Sequence, residues 1–92
     1  MQANNSEIFF DMNGDLTGDN NVLYNSNIHG NLTGNNNKII GNVYGSVIGN
    51  DNEVIGFVTH DIIGHDNVVC RDVGGNVTGQ DNEIMGIINS GK

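Results

Sequence analysis

Aliphatic residues mark this chain in three columns that return at a near-constant step. The step is easiest to follow from a glycine preceding the pattern x-[Asn/Asp]-Asn: Gly18, Gly34, Gly49, Gly64 and Gly79, spaced 16, 15, 15 and 15 residues apart. Two residues before each anchor stand Leu16, Leu32, Val47, Ile62 and Val77. Five after it stand Leu23, Ile39, Val54, Val69 and Ile84. Nine after it the third column reads Val43, Val58, Val73 and Ile88, and Ile28 joins once one extra residue within Asn25-Ser26-Asn27 is allowed for. Polar positions keep the same step. Asparagine stands three past every anchor, at Asn21, Asn37, Asn52, Asn67 and Asn82, preceded by Asn20, Asn36, Asp51, Asp66 and Asp81. Self-similarity at a fixed period is the signature of a repeat protein, in which each unit buries its apolar face only against its neighbours.

The pattern excludes helices, since a helix of this length would tolerate neither the glycine density nor the mismatch between the columns and a 3.6-residue turn. Each repeat instead predicts two short runs of β-type residues, such as Val47-Ile48 and Glu53-Val54-Ile55, and a third around Val58. Glycine and asparagine between them accept positive φ at tight corners. Three inward columns per repeat predict a coil of short parallel strands, each coil stacked ~4.8 Å above the last. Five whole coils follow, at residues 14–29, 30–44, 45–59, 60–74 and 75–90, with 91–92 as a tail, in one domain spanning 1–92. Carried backwards, the register places Ala3 at the anchor, Ile8 and Met12 in the second and third columns, and Glu7 with Glu53 and Glu83. Residues 1–13 therefore read as a degenerate half-coil lacking its glycine turn.

This repeat grammar resembles that of β-helix and β-solenoid proteins over nearly the whole chain. The resemblance is one of architecture and implies an all-β, single β-solenoid. Within such a coil, the asparagine column predicts a ladder in which each side-chain amide bonds to the asparagine of the coils above and below. Strand alternation also predicts two outward rows beside the core: Tyr24, Ile40, Ile55, Cys70 and Met85 six past the anchor, and Thr17, Thr33, Ile48, Ile63 and Thr78 just before it. Contiguous apolar surface of that kind marks an interface. The competing expectation is a flattened core, in which a bend turns some of these side chains inward.

Charge narrows the partners. With 11 acidic residues against 3 Lys plus Arg, the net charge is −8. Nucleic acid and anionic membrane both demand a positive footprint, so neither is an expected partner. No apolar run approaches the ~18 residues of a membrane span, and residues 1–20 lack the basic start and apolar core of a signal peptide. Cys70 is the lone cysteine, so the chain holds no disulfide framework. Cytoplasmic synthesis is the expectation, with an extracellular or virion fibre as a possible destination.

Candidate chemistry is thin. His29, His60, His65, Asp61 and Asp72 lie at different places in the repeat, and Cys70 substitutes for Tyr, Ile or Met in its column, so no enzyme and no cofactor is expected. Asp51, Asp66 and Asp81 are weak calcium candidates, because stacked carboxylates repel and a cation relieves that. The nine-residue GGxGxD repeat of calcium-binding β-rolls is absent, and the first two coils carry asparagine in that column. An ice-binding face needs regular Thr-x-Thr rows, whereas Ile48 and Ile63 interrupt the single threonines here. The Asn-x-Ser/Thr triplets at Asn4, Asn31 and Asn76 are expected from composition alone.

The ends carry the functional expectation. No helix, proline or charged strand closes either one, and open solenoid edges invite stacking. The reading is a structural protein that polymerises head to tail with itself into a filament, with Ile8, Phe9, Phe10 and Met12 seated on Ile84, Ile87 and Ile88 of the next molecule. Lateral pairing through the outer rows is an additional expectation. The alternative is a non-catalytic adhesive module that binds a glycan or another surface ligand.

Overall fold

The computed structural model of the chain describes residues 1–88. Two positions of the last expected coil (89–90) and the tail 91–92 lie outside the described residues. Eleven two-residue strands follow in order among them: β1 (Glu7–Ile8), β2 (Leu16–Thr17), β3 (Val22–Leu23), β4 (Leu32–Thr33), β5 (Lys38–Ile39), β6 (Val47–Ile48), β7 (Glu53–Val54), β8 (Ile62–Ile63), β9 (Val68–Val69), β10 (Val77–Thr78) and β11 (Glu83–Ile84). Even-numbered strands build one parallel five-stranded sheet in the order β2-β4-β6-β8-β10. Odd-numbered strands from β1 to β11 build a parallel six-stranded sheet. A third face is held by single parallel bridges running Met12, Ile28, Val43, Val58, Val73, Ile88. The register is the one the repeat dictates, with Leu32 on Val47 and Ile39 on Val54. This is a three-faced β-solenoid, 35 × 20 × 18 Å in extent.

All three aliphatic columns point inward. Leu16, Leu23, Ile28, Leu32, Ile39, Val43, Val47, Val54, Val58, Ile62, Val69 and Val73 are buried and stack along one continuous core. The last coil departs from this. Val77 and Ile84 are only partly buried and Ile88 is 44% exposed, because no described coil lies on their far side. At the opposite end Ile8 is 2% and Met12 5% exposed, although they too belong to a terminal coil.

The first 13 residues form more than the expected half-coil. Beyond the β1–β3 pairing, Gln2 bridges Thr17, the Ala3 N–H donates to Thr17 O at 2.9 Å, and Thr17 N–H donates to Met1 O at 2.9 Å. Sequence alone misses this face because Met1-Gln2 carries neither a β-branched residue nor an anchor glycine. The extra residue of the first full coil is absorbed at a corner, where Asn25 takes φ 51° and buried Ser26 donates its hydroxyl to Tyr24 O at 2.8 Å.

Two neighbouring columns make the sharpest corner. Asn5, Asn20, Asn36, Asp51, Asp66 and Asp81 all take left-handed φ between 52° and 60°, a conformation Asn and Asp tolerate better than other side chains. Two residues earlier the anchor glycines take φ of 120–140°. A β-carbon on Gly49 would lie 1.8 Å from Gly34 O, so the coils pack at that spacing only without one.

The inward assignment has a direct test. Val54, 1% exposed between Ile39 and Val69, should not tolerate Val54→Asp, because an unpaired carboxylate there costs several kcal/mol. Glu53→Lys on the same strand should shift the urea midpoint little. Equal losses of cooperative unfolding for both variants would refute the assignment.

Candidate functional site

The surface chemistry starts from the buried asparagines. Asn21, Asn37, Asn52 and Asn67 are at most 1% exposed, and Asn82, in the last coil, is partly exposed. Each side chain reaches towards the preceding coil and bonds its backbone twice. The Asn52 Nδ2 donates to Gly34 O at 2.8 Å, and its Oδ1 accepts from Asn37 N–H at 3.0 Å. Asn37 and Asn67 repeat the arrangement on Gly18 with Asn21, and on Gly49 with Asn52. The ladder is thus real, but it runs from side chain to backbone and not from amide to amide as expected. The coil backbone at this corner turns its N–H and C=O inward, and the amide that fills the space satisfies both. The left-handed turn itself belongs to the column before it.

Three further ladders line the corners, and sequence reading missed them. Asp19, Asn35, Asn50 and His65 form one: each accepts, through a side-chain O or His65 Nδ1, the N–H of the equivalent residue in the following coil. Asp15, Asn31, Ser46 and Asp61 form the second in the same sense. Asp11, Asn27 and Asn42 form the third, and Asp72 repeats it on Ile87 after Phe57 interrupts the run. The columns mix Asn, Asp, Ser and His, so no single letter betrays them. What they share is a short side chain with an acceptor atom. No buried side-chain polar atom among the described residues lacks a partner.

The suggested chemical residues are drawn into these roles. Asp61, Asp72 and His65 are ladder acceptors, and His29 stacks on the Tyr44 ring at 4.8 Å. His60 is exposed and Cys70 half-buried. Asp51, Asp66 and Asp81 sit exposed at the left-handed corner, and among the described residues no three His, Cys, Asp or Glu side chains converge as a metal site. No helix among them is long and apolar enough to cross a membrane.

The flanks divide. Ile48 (37%) and Ile63 (43%) project from the five-stranded sheet, continuing a row with Thr17 and Thr33. The other row is half-buried at Tyr24, Ile40, Ile55 and Cys70, and opens only at its ends, Phe9 and Met85. In-register stacking covers each member with its neighbours, so only the terminal ones are bare. Phe9 lies flat on Tyr24 at 5.0 Å. An open cavity of ≈ 570 Å³ lies against Phe57, Thr59, Cys70, Arg71 and Asp72.

The two coil ends differ. In the last coil the N–H groups of Val77, Gly79, Asp81, Asn82 and Ile88 occupy positions that in earlier coils donate to the coil that follows, as Ile62, Gly64, Asp66, Asn67 and Val73 do. In the first coil Ile8 and Met12 are already buried, and Phe9 (67%) and Phe10 (60%) are not. Of the residues expected to meet across a junction, Ile87 (65%) and Ile88 are open, and Ile84 partly so.

Comparison with protein-family models, with curated proteins and with solved structures finds no match to this chain.

The corner orders three substitutions by their cost. Gly49→Ala should be the most damaging, since its β-carbon meets Gly34 O. Asn52→Ala should lose ~1–3 kcal/mol by orphaning a buried N–H and C=O. Asn50→Ala removes one bond from a half-exposed acceptor and should cost less than either. Urea denaturation of the three variants checks the order, and equal values for Asn50 and Asn52 would deny the inner ladder its special role.

Proposed function

We propose that this protein is a structural subunit that assembles end to end with copies of itself, the last coil of one molecule receiving the first coil of the next. The observation carrying the proposal is the last coil. It presents N–H groups in the positions and sense by which every interior coil holds its neighbour, beside the partly open Val77, Ile84 and Ile88. A heterologous contact of this kind does not close on itself, so repetition gives a filament. Unpaired strand edges are the usual template for such addition.

In register, Glu7 of one molecule would lie over Glu83 of the other, as Glu7 lies on Val22 and Glu83 on Val68 within the solenoid. Like charges directly opposite are unfavourable in a sheet, and a net charge of −8 adds general repulsion. Both are screened over about 8 Å at physiological ionic strength. Assembly should therefore increase with salt.

A second reading rests on the flank, where Ile48, Ile63 and the cavity beside Phe57 and Arg71 offer surface for lateral pairing or for an adhesive contact with a glycan or another surface. The two readings differ in stoichiometry.

Proline at an edge separates them, because it cannot donate to a ladder. The Phe9 N–H occupies the position that Tyr24 uses to reach the preceding coil, and the Ile88 N–H the position that Val73 uses to reach the following one. Phe9→Pro and Ile88→Pro should each leave a folded monomer that retains β circular dichroism and caps wild-type fibres below stoichiometry. Proline at Ile87 is a poorer choice, since that N–H already donates to Asp72 Oδ1 at 2.8 Å. Sedimentation at rising salt provides the readout. Long fibres from both variants would rule out growth through the ends, and a wild type that stays monomeric at every concentration would favour the flank.

A further inference from the structure

We infer that the first coil carries a built-in brake on this end-to-end assembly, set by Ala3 and Ser6; the inference rests on the reading just proposed. Every other anchor is a glycine whose added β-carbon would sit 1.7–1.8 Å from the anchor carbonyl of the preceding coil. Position 3 is the exception. Ala3 has a β-carbon and is not among the residues with positive φ, so the first coil lacks the backbone shape that lets an anchor nest beneath another coil. In a filament, the carbonyl it would have to nest beneath is that of Gly79 in the preceding molecule.

Ser6 compounds the mismatch. It stands where Asn21, Asn37, Asn52, Asn67 and Asn82 stand in later coils, three past the anchor. Those side chains each bind the preceding coil through a donated Nδ2 bond and an accepted Oδ1 bond. A serine has one hydroxyl on a single carbon and cannot span both groups. Its Oγ is moreover turned back on its own coil, donating to Asn4 O at 3.0 Å. The Asn4 carbonyl is the position that, one coil on, Asp19 O uses to accept the Asn5 N–H from the preceding coil. Ser6 therefore partly satisfies the very edge a second copy would need, and leaves Asn82 N–H and Gly79 O of that copy unanswered.

The remainder of the first coil keeps the repeat: Asn5 takes the left-handed corner at φ 52°, and Glu7–Ile8 pairs in register with Val22–Leu23. The departures fall on the two positions whose side chains face a preceding coil at the tightest corner. Head-to-tail contact is thereby weakened without loss of the subunit's own fold, which makes the growing end reversible.

The double variant Ala3→Gly, Ser6→Asn restores the repeat and tests this. Both residues are partly buried and Ala3 packs at the edge of the core, so thermal unfolding of the monomer should fall only slightly, and assembly is compared at a temperature where both proteins are folded. Its concentration for half-assembly, read by sedimentation velocity and light scattering against wild type, should fall on the order of tenfold or more, the scale of one or two recovered hydrogen bonds. Adding Phe9→Pro should abolish assembly of the double variant. Equal assembly concentrations for wild type and double variant, with fibres formed by both, would overturn the brake while leaving end-to-end growth standing. Failure of both proteins to associate while folded would overturn end-to-end growth, and the brake with it.

Discussion

Successive coils approach so closely at one corner that the carbonyl of each anchor occupies the space a β-carbon on the next would need. That approach decides much else. It restricts the anchor to glycine in every coil that has another beneath it, and it brings Asn52 Nδ2 within 2.8 Å of Gly34 O. Coils held this near also place each aliphatic column in van der Waals register, so that Leu16, Leu32, Val47 and Ile62 form a single buried file. Remove the close corner and the amide loses both partners while remaining buried, which is the costly outcome for a polar group.

The polar ladders play a part that helices or long strands play elsewhere. Backbone bonds run between coils at strands and corners alike, but N–H groups such as those of Ser46, Asn50, Asn52 and Phe57 meet no backbone carbonyl and would otherwise stay unpaired. Inner asparagines satisfy one corner from inside. The outer Asn, Asp, Ser and His side chains satisfy the others from outside, each accepting from the coil that follows. The inner ladder reaches back and the outer ladders reach forward, so every junction between coils is bonded from both sides. Stability in such an array is close to a sum over nearest neighbours, and a coil is only as secure as its two junctions.

Direction follows from the same geometry. Because inner side chains reach only towards the preceding coil, no inner asparagine among the described residues reaches back to Asn82 N–H or Gly79 O, while the first coil has no need of one for its own folding. Serine at position 6 and alanine at position 3 are admissible in the monomer for that reason alone. A polarised repeat thus has two unlike ends even where its sequence is nearly uniform, and any partner must distinguish them.

Much of this architecture was legible in the chain. The period, the three inward columns, the absence of helix and the stacking order of coils follow from where aliphatic, glycine and asparagine residues recur, because in a parallel coil the direction of a side chain is set locally by alternation and corners. The first coil was read only as half of one, since Met1 and Gln2 join their face through backbone bonds that leave no mark in residue type. Val77, Ile84 and Ile88 share the pattern of the core yet are not fully covered, since burial depends on a neighbour and not on the column. Tertiary structure alone decided what each asparagine binds, which column takes the left-handed turn, and that mixed Asn, Asp, Ser and His positions are equivalent acceptors. Those outcomes depend on whether an N–H or C=O points to the coil before or the coil after, and backbone dihedrals at the corners fix that direction while the column of letters does not.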